Sequence, residues 1–170
     1  MTREESIIFY KTHAKRLFNT SLRIVKDSAL AEEIMQDTIL KFMNLEPFRL
    51  VVGSEQKVNS WLAKTCIRAS IDQLRKMKRE RLFLDEYAND VETTDDSSGS
   101  YETVSLDIIK IRKAIDELND PYRLVLNLIL IEGLDYEEIS GITGVHEGTI
   151  RTQYSRAKKM LVNLLNESNN

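Results

Sequence analysis

The stretch at residues 134–161, "LDYEEISGITGVHEGTIRTQYSRAKKML", decides the fold of the C-terminal part of the chain. It contains two short helical patterns on either side of a turn that Gly144 and Gly148 frame. The second pattern is rich in Arg and Lys, although the whole chain carries a formal net charge of −3. A short helix, a tight turn and a basic helix are typical of the helix-turn-helix, whose second helix enters the major groove of DNA.

Capping signals predict where these two helices begin and end. Asp135 and Glu138 have the spacing of a capping box, which predicts a short helix that ends at Thr143. Beyond the turn, the apolar periodicity predicts a last helix from about Thr149 to Leu165.

The last helix has a packing face and a polar face when its residues are placed at intervals of about 100°. Ile150, Tyr154, Ala157 and Leu161 fall on the packing face. An ordinary amphipathic helix with a solvated basic face has the same pattern, but the capped preceding helix and the glycine-bounded turn favour a DNA-reading helix. The residues of the polar face that can hydrogen-bond to bases or neutralise phosphates are Arg151, Thr152, Ser155, Arg156 and Lys159.

The negative charge of the chain is concentrated in its middle. Lys and Arg outnumber Asp and Glu by six in residues 1–81, whereas residues 82–107 hold eight acidic side chains and no Lys or Arg. The segment "DVETTDDSSGS" at 90–100 has too little apolar surface to offset the entropy cost of becoming ordered. We therefore predict a flexible acidic linker at residues 82–103 between two small domains, with the second domain at 104–170.

Both domains are predicted to be helical, which makes the fold class all-α. In the first domain the periodicity predicts helices at about 5–26, 27–43 and 59–81, and a loop at 45–58 that contains breaker residues. The first helix of the second domain is expected at about 104–118.

The next helix of the second domain has a start signal and a stop signal. Asp120 is its predicted cap, and Pro121 is expected at the first helical position, where a missing N–H costs nothing. Gly133 is expected to end this helix.

The composition and the motifs limit the class of protein. The single cysteine, Cys66, excludes an intramolecular disulfide framework, and its apolar helical setting predicts a buried thiol. The longest apolar run, 124–131, is too short to span a membrane and the N-terminus lacks a signal peptide, so we expect a cytoplasmic protein.

Common hydrolase and nucleotide-binding motifs are missing, and His13 and His146 lie in different domains. We therefore expect no catalytic residue, no metal and no cofactor.

Three segments of the chain resemble bacterial RNA polymerase sigma factors of the extracytoplasmic-function (ECF) group. "YEEISGITGVHEGTIRTQYSRAKKML" (136–161) is similar to the C-terminal helix-turn-helix of that family. "ALAEEIMQDTILKFMN" (29–44) and "VNSWLAKTCIRASIDQLRKMKRERL" (58–82) resemble its two N-terminal signature helices, and the segments occur in the family's order. The amino-acid sequence of the helix-turn-helix is most similar to that of family members from the Bacteroidetes lineage.

The resemblance implies that the helix at 29–43 docks on the largest subunit of core RNA polymerase. Without the resemblance, the outward side of this helix would be interpreted as an ordinary solvated face. Its outward stripe, and hence the implied polymerase-binding set, is Glu33, Gln36, Asp37 and Leu40.

The resemblance also implies that the helix at 59–80, with the loop before it, recognises and melts the minus-ten promoter element. Trp61 could be mistaken for a stacking residue, but its place in the family's W-L motif implies a position in the core. The implied minus-ten set is Phe48, Arg49, Lys57, Asn59, Ser60, Lys64, Arg68, Arg75 and Lys76.

For the C-terminal domain the resemblance implies recognition of the minus-35 promoter element by the polar face of the last helix, with Lys159 on a phosphate. The chain departs from the family's common residues at four positions, which concern the promoter sequence that is read. They are His146, Glu147, Gln153 and Tyr154.

The partners implied are core RNA polymerase and promoter DNA. Many family members are held inactive by a membrane-anchored anti-sigma protein, which makes such a protein a further candidate partner, while no membrane insertion is expected of this chain.

A conventional helix-turn-helix regulator that acts without polymerase is the alternative function. It accounts for residues 134–161 but not for the other two segments. An all-helical enzyme and a polymerase-binding protein without promoter activity are the remaining alternatives.

Overall fold

The structure of the chain, a computed structural model, describes residues 2–45, 54–85 and 106–167, with the backbone alone described at 81–85. Throughout these residues the chain forms helices and turns and no strand. The chain divides into two compact units, 1–97 and 98–170. The predicted all-α class with two helical units is confirmed.

Some sequence predictions fall outside the described residues. Phe48 and Arg49 do so, as does nearly all of the predicted linker at 82–103. The bounds of the two domains and of the linker therefore stay a prediction.

The N-terminal unit begins with two capped helices. Helix α1 spans Arg3–Val25, and at its start the Thr2 hydroxyl accepts from the Glu5 amide while the Glu5 carboxylate accepts from the Thr2 amide. Helix α2 spans Ser28–Met43, and the Asp27 carboxylate accepts from the Leu30 amide at 2.8 Å. Both helices lie close to their predicted positions, because strong caps mark where they begin.

Helix α3 spans Glu55–Asp85, so it is longer at both ends than predicted. The predicted start at about residue 59 was wrong by about one turn. The Lys57 amide donates to the Ser54 hydroxyl at 3.3 Å and to the Ser54 carbonyl at 3.0 Å, so Ser54 caps the helix earlier.

The core of the N-terminal unit lies where α1, α2 and α3 pack on one another. Leu17, Ile39, Leu62 and Ile67 are each at most 2% exposed, and burial of such a side chain contributes roughly 1.5–3 kcal/mol. Cys66 is fully buried, and its thiol donates to the Leu17 carbonyl at 3.4 Å, which confirms the predicted core thiol.

Aromatic rings join the three helices of this unit at another point. Phe9 on α1 stacks on Phe42 on α2 with ring centroids 4.9 Å apart, and Phe42 meets Trp61 on α3 at 5.5 Å. Trp61 is half-buried, so it packs on Phe42 at the edge of the core rather than inside the core as expected. Its ring therefore helps to fix the start of α3 against α2.

The C-terminal unit starts with α4, Leu106–Asp116, and α5, Asp120–Leu126. The predicted cap at Asp120 was wrong, because Asn119 takes the N-cap position without a side-chain hydrogen bond. Asp120 is the first helical residue and pairs with Arg123 instead, and Pro121 follows at the second position. Proline is tolerated there because the first-turn amides have no partner within the helix.

A π-helical segment, Asn127–Ile131, continues α5, and the amide of Glu132 donates to the carbonyl of Asn127 at 3.0 Å. Gly133 follows with φ of +72°, so it ends the helical path as predicted. A left-handed backbone at this position favours glycine, because a side chain would be strained there.

The helix-turn-helix consists of α6, Tyr136–Thr143, and α7, Glu147–Glu167. The predicted capping box is confirmed: the Asp135 carboxylate accepts from the Glu138 amide at 2.8 Å, and the Glu138 carboxylate accepts from the Asp135 amide. Gly144 ends α6 in the left-handed region.

The predicted start of the last helix at Thr149 was wrong, because Gly148 lies inside α7 rather than in the turn. His146 caps the helix earlier. Its carbonyl accepts from the Thr149 and Ile150 amides, and its ring Nδ1 accepts from the Gly148 amide at 3.1 Å. The imidazole thus performs the capping task that serine commonly performs.

Candidate polymerase and DNA interfaces

The outward side of α2 carries the four residues predicted to bind polymerase. Leu40 is 54% exposed although it is a large apolar residue. The opposite side of the same helix is buried in the core, which fixes the direction in which the stripe points. The members of this stripe, all exposed, are Glu33, Gln36, Asp37 and Leu40.

The stripe of α2 combines a negative rim with an apolar contact point. Gln36 Nε2 donates to Glu32 Oε1 at 3.1 Å, so the amide is already oriented along the helix surface. An exposed leucine within acidic neighbours can anchor a partner whose surface is apolar and ringed by cations.

One side of α3 carries a basic stripe. Lys57, Lys64, Arg68 and Arg75 follow one another at spacings of seven, four and seven residues, which brings them to one side of a helix with about 3.6 residues per turn. Lys57, Arg68 and Arg75 are exposed and Lys64 is half-buried. These four residues, called the α3 basic stripe below, can follow a phosphate backbone.

Acidic neighbours on α3 contact some of its cations. Arg75 Nη1 lies 3.7 Å from Asp72 Oδ1, and Lys76 Nζ lies 4.0 Å from Glu80 Oε1. All four side chains are at least half exposed, so these pairs contribute about 0–1 kcal/mol and leave the cations accessible to a stronger anionic partner.

The structure does not bring every predicted minus-ten residue to this stripe. Ser60 is exposed near its edge, whereas Lys76 is displaced by about 100° from Arg75 around the helix. Asn59 is half-buried and faces away from Lys57. The four members of the α3 basic stripe therefore form a more compact set than the predicted one.

The polar face of α7 is exposed as predicted. Ile150, Ala157 and Leu161 are buried against the rest of the C-terminal unit, which turns the opposite face outward. Tyr154, which was predicted on the packing face, is half-buried. The exposed candidate DNA-reading residues are Arg151, Thr152, Ser155, Arg156 and Lys159.

Two of these residues already have partners on the helix-turn-helix. The Thr152 hydroxyl donates to the Gly148 carbonyl at 3.0 Å, so it remains available to DNA mainly as an acceptor. Arg151 Nη2 lies 3.7 Å from Glu147 Oε2, and its Cζ lies 5.1 Å from the centroid of the Tyr136 ring.

Sequence reasoning missed a row of rings and cations between α6 and α7. Tyr136 and Tyr154 meet edge to face with centroids 6.3 Å apart. Arg151 lies over Tyr136, and Lys158 Nζ lies 4.6 Å from the centroid of Tyr154. These four residues are called the cation–aromatic row below. Tyr154 is the residue from which this row could have been expected, because an aromatic ring on a packing face commonly packs on a ring of a neighbouring element.

The described residues contain no group of three or more His, Cys, Asp or Glu side chains that could hold a metal ion. Within the same residues, no helix has the length and apolar character needed to cross a membrane. A helix-turn-helix whose second helix exposes cations and hydroxyls is the architecture of a DNA-binding protein.

Comparison with known proteins identifies the family. A model of Sigma-70 region 2 matches residues 9–80, and a model of Sigma-70, region 4 matches residues 108–161. RNA polymerase sigma factor SigV of Bacillus subtilis is 30% identical over 149 residues, which cover 88% of this chain and 84% of SigV. The ECF sigma factor SigM of the same organism is 25% identical, and the match covers 95% of each chain.

A solved structure is similar over the same length. RpoE of Bartonella quintana, a sigma factor crystallised in complex with the anti-sigma factor NepR, matches with a TM-score of 0.62 and 26% identity, covering 92% of this chain and 94% of RpoE. The chain therefore belongs to the RNA polymerase sigma factors of the extracytoplasmic-function group. The lineage suggested by the sequence stays a prediction.

Proposed function

We propose that this sigma factor directs transcription initiation at a specialised set of promoters. In this proposal α2 binds core RNA polymerase, α3 and the loop before it recognise and open the minus-ten element, and α7 reads the minus-35 element. The observation that carries the proposal is that α2 and α7 expose all of their candidate residues and α3 exposes most of its own, while the opposite side of each helix is buried.

The proposed activity uses binding alone and no catalytic group. Opening a duplex requires a pocket that stabilises an unstacked base and a basic track for the separated strand. The α3 basic stripe supplies cations for such a track. Because its partners would be core polymerase and chromosomal DNA, we place the protein in the cytoplasm.

Binding to core polymerase is expected to depend on the α2 stripe. Leu40→Ala removes an exposed apolar anchor and Asp37→Lys reverses a charge beside it, and neither residue holds the core together. Each variant should weaken binding to core polymerase by about tenfold or more, which fluorescence anisotropy with labelled full-length protein would measure. Glu4→Lys is the matched control, because it makes the same kind of charge reversal at an exposed position on α1. Equal loss in the control would contradict a specific role for α2.

Promoter opening is expected to depend on the α3 basic stripe. Arg68→Ala in the holoenzyme should reduce the permanganate reactivity of unpaired thymines at promoters, because a phosphate contact is lost. Lys11→Ala is the control, since Lys11 is also exposed and basic but lies on α1 and belongs to none of the candidate binding sets. If both variants open promoters equally well, the stripe is a solvated face.

Upstream reading is expected to depend on the polar face of α7. Arg156→Ala should abolish protection of the upstream element by holoenzyme in a footprint, while binding to core polymerase stays unchanged. A footprint on palindromic DNA by the free protein as a dimer would instead favour the alternative of a conventional regulator, since a sigma factor reads two different elements as a monomer.

We further propose an anti-sigma protein as a partner. The support is the likeness to RpoE, which was crystallised with the anti-sigma factor NepR. Mild cross-linking in the source bacterium followed by purification of the tagged chain should recover one additional protein that competes with core polymerase for this sigma factor. Recovery of core polymerase subunits alone, both with and without stress, would contradict this partner.

A further inference from the structure

We propose that Tyr136 and Glu147 are positioning residues that hold Arg151 to read one guanine of the upstream element. The proposal rests on the proposed reading of that element by α7, and it assigns a task to two residues that are not among the five candidate DNA-reading residues of that helix. The one base pair that Arg151 reads is the point at which the proposal can be tested.

Arg151 is restrained from two sides and still accessible. Glu147 Oε2 lies 3.7 Å from its Nη2, one turn earlier on α7, and the Tyr136 ring lies 5.1 Å from its Cζ. The Arg151 side chain nevertheless keeps 64% of its surface exposed. A guanidinium held in this way has fewer orientations to lose when it meets DNA, which lowers the entropy cost of binding.

The ring that supports Arg151 is itself fixed by its neighbours. Tyr136 is the first residue of α6 and meets Tyr154 of α7 edge to face, and Lys158 lies over the second ring. The cation–aromatic row therefore connects both helices of the motif. It ties the direction of Arg151 to the angle between α6 and α7, which also sets how α7 enters the groove.

These contacts are poorly suited to a structural role alone. An exposed ion pair with a separation of 3.7 Å and an exposed cation–ring contact each add little to the stability of a fold. Their removal should leave the C-terminal unit folded, so an effect of their removal on base preference can be separated from an effect on folding.

The chemistry of the guanidinium points to guanine. Arginine makes its commonest specific contact with DNA by donating two hydrogen bonds to O6 and N7 of one guanine in the major groove. Glu147 engages one terminal nitrogen, Nη2, and the planar group retains further N–H donors for the base edge. An unrestrained arginine would donate equally well to phosphates and would carry less sequence information.

The test measures base preference in the complete complex. Holoenzyme assembled from full-length protein and core polymerase of the source bacterium is incubated with a pool of duplexes whose upstream segment is randomised, and bound duplexes are sequenced. The variants are Arg151→Ala, Glu147→Gln, Tyr136→Leu and Tyr136→Phe. Glu137→Gln is the matched control, because it removes the same charge from an exposed position on α6.

The proposal predicts that wild-type holoenzyme selects guanine at one position and that Arg151→Ala loses that preference. Glu147→Gln and Tyr136→Leu should each reduce the preference at the same position by about two- to fivefold and leave the other positions unchanged. Tyr136→Phe, which keeps the ring, and Glu137→Gln should match wild type.

Three results would overturn the proposal. Full guanine preference in both Glu147→Gln and Tyr136→Leu would show that Arg151 needs no positioning. Loss of a cytosine preference at a neighbouring position in Glu147→Gln would show that Glu147 reads a base itself. Preserved preference in Arg151→Ala would remove Arg151 from base reading. By contrast, failure of the wild type to select any upstream sequence would refute the proposed function of α7 as a whole.

Discussion

Ser21 and Ser70 are buried hydroxyls that face each other between α1 and α3. The Ser70 hydroxyl lies 2.9 Å from the Ser21 hydroxyl and 2.8 Å from the Cys66 carbonyl oxygen, and both serines are fully buried. Removal of one hydroxyl leaves its buried partner with fewer hydrogen bonds, which costs about 1–2 kcal/mol.

We therefore predict that Ser21→Ala and Ser70→Ala each lower the free energy of unfolding by about 1–2 kcal/mol, and that the double variant loses less than their sum. Urea unfolding followed by the fluorescence of Trp61, the single tryptophan, would measure this. Ser28→Ala is the control, because Ser28 is exposed. Strict additivity of the two changes would contradict the coupling.

His13 is buried on α1 with its ring centroid 4.4 Å from that of Phe9. Burial lowers the pKa of His13 below 6.5, an effect that nearby Glu55 opposes and Arg16 reinforces. Because the folded pKa lies below the unfolded value, the unfolded chain binds more protons once the pH falls below about 6.5. The stability that depends on a neutral His13 is therefore fully present above that pH and is lost as the pH falls from there through the lower folded pKa.

The lowered pKa of His13 predicts that the effect of His13→Gln on stability depends on pH. The stability advantage of wild type over the variant should be larger at about pH 8 than at about pH 5.5. Only wild type has a buried ring whose protonation at low pH favours the unfolded state. Urea unfolding at the two pH values, again followed by Trp61, would measure it. An equal advantage at both pH values would show that His13 binds protons equally in the folded and the unfolded state.

At the scale of single residues, the sequence predicted most of the buried and exposed side chains, although Trp61 and Tyr154 are less buried than expected, and it did not predict which side chains they contact. Cys66 and the α2 stripe follow from helical periodicity, which depends only on spacing along one helix. The contacts of Arg151 with Tyr136 and Glu147 depend on how α6 and α7 cross, and no spacing rule gives that angle. The same reason explains why the pairing of Ser21 with Ser70 was not expected.

The start of α7 depends on an unusual cap. The His146 ring accepts from the Gly148 amide, and a Cβ at Gly148 would lie 3.2 Å from that same ring nitrogen. Glycine at 148 thus leaves room for the imidazole to reach the amide. Capping of this kind contributes about 1 kcal/mol at a helix start.

We predict that His146→Ala speeds hydrogen exchange at the Gly148 amide by about fivefold, because the amide loses its acceptor. NMR exchange rates on the full-length protein would measure it. His146→Ser is the control, since a hydroxyl at this position also accepts from the first turn. Unchanged exchange in the alanine variant would show that the ring does not cap the helix.

At the scale of elements, helix existence was predictable and helix ends were less so. Where the sequence contains a strong N-cap, as at Asp27 and Asp135, the predicted helix start was correct. The starts of α3 and α7 were missed by one turn and by two residues, because Ser54 and His146 capped earlier than the apolar pattern suggested. The π-helical continuation after α5 was not predicted, because π-helical turns are rare and the helical spacing rules assume 3.6 residues per turn.

In the proposed function, the whole molecule joins two DNA-reading units in one chain. A link between two binding modules raises apparent affinity through effective concentration, by a factor of about 10² to 10⁴. We predict that a protease site inserted at residues 90–100 has little effect until it is cut, and that cutting then reduces promoter occupancy by about 100-fold or more. Footprinting of holoenzyme before and after cleavage would measure this, and equal occupancy would show that the two units act independently.

In vitro transcription would show whether this chain gives core polymerase its promoter specificity. Genomic fragments are transcribed by purified core polymerase of the source bacterium with and without this protein, and the 5′ ends are mapped. We expect new, discrete 5′ ends that require the protein, each preceded by two shared sequence elements. Absence of both new transcripts and core binding would contradict it and would leave a DNA-binding regulator that acts without polymerase.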